Sequence, residues 1–99
     1  MKPKLFVLKM PFEDGPGKRW LCSHCALIEG ALSVNTHWES MVDIRRIEFQ
    51  KPRQEVVDIL GEGNQWLPVL ILENNETITE PVEIINYLAN EFGGAAVHP

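Results

Sequence analysis

Two cysteines separated by two residues are the part of this sequence whose side-chain types and spacing can do chemistry. The 99-residue chain has two cysteines, and they form the motif Cys22-Ser23-His24-Cys25. Such a pair can exchange with a disulfide, because one thiolate attacks and the second thiol resolves the mixed disulfide. In a reducing compartment this spacing is more often catalytic or metal-binding than structural. Cys22 is therefore the candidate nucleophile and Cys25 the candidate resolving thiol.

The residues around the motif predict an environment that favours a thiolate. A helix is predicted from about Ser23 to Val34, which places Cys22 at its N-terminal end. Unpaired N–H groups and the helix dipole favour negative charge there. His24, when protonated, adds a positive charge beside the same sulfur, and Lys18 and Arg19 add more from the preceding loop. These three are the candidate site-tuning residues, although His24 equally suits a solvated helix position.

Three other interpretations of the cysteine pair remain open. The cysteines can be incidental packing residues, since free cysteine is often buried. They can be half of a zinc site, which needs two further ligands, and the available histidines are His24, His37 and His98. The third is an iron–sulfur cluster bridging two subunits, which a resemblance to glutaredoxins, described below, would imply. The spacing at a helix start favours thiol exchange over all three, so we predict no metal.

Composition and charge limit the functional classes to which this chain can belong. The chain is 44% hydrophobic and 23% charged, with a formal net charge of −5 and scattered basic residues. A nucleic-acid binder normally presents a basic face, so nucleic acid is not an expected partner. No apolar run approaches the ~18 residues of a membrane span. The short apolar run after the N-terminus is interrupted by Pro11, so we predict a first strand and not an export signal, and a cytoplasmic location.

The pattern of apolar residues and breakers predicts one domain, residues 1–99 with a core at about 4–92, in the order β-α-β-α-β-β-α. The fold class is α/β: a four-stranded mixed sheet with three helices. The first two strands are expected to be parallel across a right-handed crossover, and a turn at Asn74-Asn75 makes the last two antiparallel. The phase change at Arg45-Arg46 indicates a bulge or an edge strand. The expected strands are 4–10, 42–49, 69–72 and 77–79, the helices 23–34, about 53–60 and 80–92, the first loop 11–21 and a frayed tail 95–99.

Helical spacing also predicts which side chains face the core. Trp38 is expected to be a packing residue. The expected inward residues are Leu27, Ile28, Ala31 and Leu32 in the first helix, Val56, Ile59 and Leu60 in the second, and Val82, Ile85, Leu88 and Phe92 in the third.

This order, with C-x-x-C after the first strand and Pro68 opening the third, resembles the thioredoxin superfamily. The nearest likeness is to glutaredoxins and to the N-terminal domains of glutathione transferases, and LPVLILENNETITEPVEIINYL carries it best. The resemblance spans residues 4–92. The chain is also similar to small bacterial thioredoxin-like proteins of unknown function. The resemblance implies a thioredoxin fold and a cytosolic thiol–disulfide oxidoreductase or redox-responsive protein that uses no bound cofactor. Its partner would be a thiol or disulfide substrate, either small or a protein.

The resemblance also implies a substrate-binding set. Pro68 would follow a cis peptide bond and face the dithiol, leaving the backbone of Leu67 free to pair with a bound thiol peptide. Trp20 and Trp66 would flank the site as an apolar platform, although each equally suits ordinary packing. Glu80 holds the place of the transferases' acidic residue, and it also suits a helix N-terminus as a favourable charge.

Three departures from the family pattern bear on function. The loop before Cys22 is longer than in glutaredoxins, and Trp20 lies two positions before the cysteine. Transferases follow their acidic residue with a serine that binds glutathione, whereas Pro81 offers neither a hydroxyl nor an N–H. We therefore expect glutathione to bind weakly if at all. Two alternatives stay open: a thioredoxin-fold interaction module with incidental cysteines, and a glutathione-binding domain.

Overall fold

The computed structural model describes residues 2–99 and contains, among them, six strands and four helices. In chain order these are β1 (Lys4–Leu8), β2 (Phe12–Glu13), β3 (Arg19–Trp20), α1 (Ser23–Val34), α2 (Trp38–Met41), β4 (Asp43–Ile47), α3 (Gln54–Leu60), β5 (Val69–Ile71), β6 (Thr77–Ile78) and α4 (Pro81–Phe92).

Four of the strands form one mixed sheet in the order β4-β1-β5-β6. Strand β4 runs parallel to β1, with Leu5 opposite Ile44. Strand β5 runs antiparallel to β1, with Leu5 opposite Leu70, and β6 is antiparallel to β5. The predicted parallel pair and the predicted antiparallel hairpin are therefore both confirmed.

Strand β4 lies at an edge of the sheet, as its sequence predicts. Its pairing with β1 is continuous from Asp43 to Ile47, so the alternative of a bulge is wrong. Arg45 and Arg46 are both exposed and pair with Asp43 and Glu29, each at 2.9 Å. Charged side chains on an edge strand oppose pairing with another chain.

Helices cover both faces of the sheet because β1 is apolar on both sides. Leu5 and Val7 pack in one cluster with residues of α1 and α4, including Ile28 and Ile84. Phe6, between them in sequence, packs in a second cluster with Val56 of α3. Successive side chains of a strand point to opposite faces, which explains why a continuous apolar run forms a strand buried on both sides.

Apart from shifts of one residue at several element ends, the structure departs from the predicted element list in four places. Strand β1 ends at Leu8, so its predicted extension to residue 10 is wrong. Residues 38–41 form a short helix, giving four helices and not three, because Trp38 is fully buried and its Nε1–H donates to the Gly93 carbonyl at 2.8 Å. The predicted loop 11–21 contains the two-stranded hairpin β2–β3. The second long strand ends at Ile47, so its predicted extension to 49 is wrong.

The predicted apolar faces were partly misplaced. Leu27, Ile59 and Val82 are exposed, although each was expected to face inward. Each helix buries an adjacent stripe of residues instead. The rotation of a helix about its own axis is set by how it packs on the sheet, and not by how many apolar residues lie on one face. The buried residues are Cys25, Ile28 and Leu32 in α1, Val56 in α3, and Pro81, Ile84, Ile85 and Leu88 in α4.

The C-terminal segment is held in place, so the expectation of a frayed tail at 95–99 is wrong. Asn35 is buried at the end of α1 and its amide donates to the carbonyl of Ala95 at 3.1 Å. The Ala95 N–H donates back to Asn35 Oδ1 at 2.7 Å. Val97 packs on the core and its N–H donates to Asn86 Oδ1. An asparagine amide has both a donor and an acceptor, so it can bind the carbonyl and the N–H of a chain segment that packs against it.

Among the described residues, no helix is long and apolar enough to cross a membrane.

Candidate dithiol site

Cys22 lies at the N-terminal boundary of α1 and is half-buried. Its backbone is extended, and its carbonyl accepts the Ala26 N–H at 2.8 Å, the first hydrogen bond of the helix. Its own N–H donates to the thioether sulfur of Met10 at 3.2 Å. The Cys22 side chain is therefore at the helix end where unpaired N–H groups and the dipole favour an anion.

Cys25 lies one turn further into α1, has no solvent exposure and is a free thiol like Cys22. The Leu8 N–H, at the end of β1, donates to its sulfur at 3.4 Å. Burial raises the pKa of the Cys25 thiol to about 12, against the opposing effect of the Leu8 hydrogen bond. The neighbouring Cys22 side chain raises the pKa of Cys25 in the same direction as burial. Cys25 is thus a neutral thiol held beside Cys22.

The candidate tuning residues His24, Lys18 and Arg19 are all exposed. His24 is exposed in the first turn of α1. Arg19 is exposed on β3, and the ammonium of Lys18 lies 5.9 Å from the centroid of the Trp20 ring. The hairpin that carries Lys18 and Arg19 ends two residues before Cys22. The effect of these three residues on the Cys22 thiolate stays a prediction.

The peptide bond between Leu67 and Pro68 is cis, as the resemblance implies. Pro68 is buried, and Leu67 packs against the cluster that contains Cys25. Within residues 2–99, neither the N–H nor the carbonyl of Leu67 has a hydrogen-bond partner. Leu8, whose N–H reaches Cys25, lines with Leu67 a cavity of about 340 Å³.

The two tryptophans do not form one platform at this cavity. Trp66 lines it and is 74% exposed. Trp20 is 47% exposed on β3, where its Nε1–H donates to the Asp14 carbonyl at 3.0 Å. Trp20 is near the dithiol only in sequence, two residues before Cys22. Among residues 2–99, its ring makes no contact with that of Trp66.

Glu80 lies at the N-terminal boundary of α4, where its carbonyl accepts the Ile84 N–H at 2.9 Å. Its side chain is exposed and makes no capping hydrogen bond. Pro81 is the first helical residue and is buried, a position where its missing N–H costs the helix nothing. The arrangement suits a favourable charge at the start of the helix.

Of the three histidines available to the zinc interpretation, His24 lies within the cysteine motif, whereas His37 and His98 hydrogen-bond elsewhere. His37 Nε2 hydrogen-bonds with the Gly93 carbonyl at 2.9 Å, and His98 Nδ1 with the Pro99 carbonyl. Across the part of the chain that is described, no group of three or more His, Cys, Asp or Glu side chains is arranged to hold a metal ion.

Four residues at this end of the sheet were not singled out from the sequence. The Leu8 N–H donates to the sulfur of Cys25, and the Met10 sulfur accepts the N–H of Cys22. Arg53 and Gln65 line the cavity beside Leu67. The available signal was topological: Leu8, Met10 and Gln65 lie at or just beyond strand ends that meet the start of α1.

A protein-family model described as "Protein of unknown function (DUF3088)" matches residues 2–96, nearly the whole chain. No curated protein and no solved structure matches the chain. Function is therefore inferred from the geometry of the dithiol site.

Proposed function

This chain belongs to the DUF3088 family of proteins of unknown function, and we propose that it is a thiol–disulfide oxidoreductase acting through Cys22 and Cys25. The observation that supports the proposal is the asymmetry of the two thiols. Cys22 is half-buried at a helix N-terminus, whereas Cys25 is fully buried beside it. Exchange needs one accessible thiol to attack and one neighbouring thiol to resolve, and this pair meets both requirements.

The reaction proceeds in two balanced steps. The Cys22 thiolate attacks one sulfur of a substrate disulfide, forming a mixed disulfide and releasing the other sulfur, which takes a proton from water. Cys25 then loses its proton to water and attacks Cys22 Sγ, forming the Cys22–Cys25 disulfide and releasing the second substrate thiol. The dithiol is oxidised by two electrons and the substrate disulfide is reduced by two.

The surroundings of Cys25 suit its role in the second step. Because burial raises its pKa, it stays protonated and unreactive until a mixed disulfide forms next to it. The Leu8 N–H, 3.4 Å from its sulfur, favours the thiolate that must develop at that moment. Cys25 therefore does not compete with Cys22 for the substrate.

The sheet supports the further proposal that the fold is that of thioredoxin. Its β1–α1–β4 unit is parallel, its β5–β6 hairpin is antiparallel, and Pro68 precedes β5. In the proposed reaction the free backbone of Leu67 pairs with the substrate, no bound cofactor takes part, and a reducing compartment such as the cytoplasm returns the dithiol to its reduced form.

A redox titration with a mass readout tests the proposed function. The protein is equilibrated in buffers of graded potential, free thiols are trapped with a maleimide, and intact masses are measured. We expect one two-electron transition in which both trapped thiols disappear together in the monomer. A Cys25→Ser variant should show no intramolecular transition.

Failure of the wild-type protein to form the Cys22–Cys25 disulfide at any potential would contradict the proposal. It would favour a non-enzymatic interaction module, for which the exposed Leu21 and Trp66 offer apolar contact surface.

A further inference from the structure

Arg53, which precedes α3, uses its guanidinium to hold two loops together. Nε and Nη2 donate to the Phe49 carbonyl at 3.1 and 2.9 Å, and Nη1 donates to the Gln65 carbonyl at 2.7 Å. The guanidinium carbon also lies 5.5 Å from the centroid of the Phe49 ring. Within residues 2–99, no carboxylate lies at ion-pair distance from Arg53. Its donors are directed to backbone carbonyls and not to an acidic partner.

Gln65 completes the connection from the other side. Its Oε1 accepts the backbone N–H of Arg53 at 2.9 Å, and its Nε2 donates to the Glu62 carbonyl at 2.9 Å. Arg53 and Gln65 therefore contact each other through both backbone and side chain. The segment held in this way, residues 62–65, leads directly to Leu67.

The same contacts extend to the hairpin that precedes Cys22. Phe49 stacks on Phe12 with ring centroids 4.4 Å apart and an interplanar angle of 9°. Phe12 is in β2, so Arg53, Phe49 and Phe12 form a continuous column at this end of the sheet. The column joins the hairpin, the loop before α3 and the loop before Leu67.

The segment held by Arg53 ends at Gln65, two residues before Leu67, the residue whose backbone a substrate is proposed to use. Leu67 has a free N–H and a free carbonyl and shares the cavity of about 340 Å³ with Arg53, Trp66 and Leu8. A free strand end pairs well with an extended peptide only if it is held in place beforehand, because ordering it on binding costs affinity.

We propose that Arg53 is a positioning residue that fixes the Leu67 backbone for pairing with a polypeptide disulfide. The inference rests on the proposed oxidoreductase function and adds its substrate class, a polypeptide and not a small disulfide. Arginine is required because its planar fork reaches carbonyls on two loops while stacking on a ring, whereas the single ammonium of lysine cannot do both.

The test compares Arg53→Lys with Arg45→Lys, a matched change at an exposed arginine of β4 that pairs with Asp43. Each pre-reduced protein is mixed with excess substrate, and the single-turnover rate is followed against substrate concentration. One substrate is an unstructured peptide with an internal disulfide. The other is Ellman's reagent, a small aromatic disulfide that has no peptide backbone.

For Arg53→Lys we expect the half-saturating concentration of the peptide to rise roughly fivefold or more, through lost hydrogen bonds. The limiting rate and the rate with Ellman's reagent should stay close to those of the wild type. Arg45→Lys should change none of these. An unchanged half-saturating concentration for the peptide, or an equal loss with both substrates, would overturn the positioning role.

A second variant and a second readout cover the case in which Arg53→Lys does not fold. Gln65→Ala removes the side-chain acceptor of the Arg53 N–H and the side-chain donor to the Glu62 carbonyl. It should also raise the half-saturating concentration of the peptide and leave the rate with Ellman's reagent unchanged. Hydrogen exchange of two amides should accelerate in either variant: that of residue 53, which donates to Gln65 Oε1, and that of Asn64, which donates to the Gly61 carbonyl. Unaltered exchange at both contradicts the positioning role. A wild-type protein that reduces neither disulfide contradicts the proposed function itself. An active wild type whose variants behave as it does contradicts only the positioning role of Arg53.

Discussion

The Leu8 N–H donates a hydrogen bond to Cys25 Sγ across 3.4 Å. This bond links the end of an interior strand to the buried thiol of α1, so the position of Cys25 is set by the sheet as well as by its own helix. Among residues 2–99, no strand residue forms a hydrogen bond with the sulfur of Cys22, which is half-exposed. The difference between the two thiols is therefore built into the fold, and its consequences can be measured.

Alkylation should distinguish the two cysteines. In single-cysteine variants, Cys25→Ser leaves the half-exposed Cys22 and Cys22→Ser leaves the fully buried Cys25. We expect iodoacetamide to modify Cys22 at neutral pH and Cys25 much more slowly, because burial raises the pKa of Cys25 and blocks access. Rates measured by mass spectrometry against pH check this. Equal rates at the two sites, each rising near pH ~8.5, would contradict the assigned roles.

Burial of Cys25 also predicts how stability depends on pH. Its pKa is higher in the folded protein than the ordinary value of 9.0. Below about pH 9 both folded and unfolded chains keep the proton, and the contribution to stability is fully present. Towards pH ~12 the unfolded chain loses the proton while the folded protein keeps it, so the free energy of unfolding falls by up to about 1.4 kcal/mol per pH unit.

Urea unfolding under reducing conditions, compared between wild type and Cys25→Ala, measures this effect. The alanine variant lacks the titrating thiol but keeps the other groups that titrate in the same range. The difference in unfolding free energy between the two proteins should shrink steadily above about pH 9. A constant difference would mean that Cys25 titrates alike in both states.

His24 is expected to stabilise the reduced form of the dithiol. It is exposed in the first turn of α1, immediately before Cys25 in sequence, and at a pH low enough to protonate it the imidazolium favours the Cys22 thiolate by charge attraction. His24→Gln should therefore destabilise the reduced form and make the reduction potential more negative. Ser23→Ala, a change at the other exposed residue of the motif, is the control. Identical potentials for His24→Gln and the wild type would leave His24 as a solvated surface residue.

The sequence predicted the parts of the fold that depend on local pattern. Continuous apolar runs were enough to predict that β1 and β5 exist, and the Asn74-Asn75 turn predicted the antiparallel pairing of β5 with β6. The antiparallel pairing of β1 with β5 was not predicted. The helix α2 was missed because four residues carry little periodicity and Trp38 forms its hydrogen bond with Gly93, distant in sequence. The contacts of the site were missed for the same physical reason. Met10 meets Cys22, and Arg53 meets Gln65, only after the sheet has brought their loops together.

Glutathione binding tests what the resemblance to glutathione transferases implies for the start of α4. If the resemblance holds, Pro81, the first residue of α4, stands where transferases have a serine whose hydroxyl and N–H bind the γ-glutamyl carboxylate. Hydrogen bonds to a charged group contribute about 1.5–3 kcal/mol each. Losing one weakens affinity by roughly tenfold or more, so wild-type binding should be weak. Calorimetry with reduced glutathione measures it.

Two substitutions separate the missing donors. Pro81→Ala restores the backbone N–H alone, and Pro81→Ser restores both the N–H and the hydroxyl. We expect affinity to increase from wild type to Pro81→Ala and again to Pro81→Ser, by about tenfold for each hydrogen bond regained. Since Pro81 is buried, thermal unfolding of each variant shows whether the start of α4 is intact. Tight binding by the wild type that Pro81→Ser does not improve would show that glutathione is held by other residues, and it would favour a glutathione-dependent reaction over one that needs no cofactor.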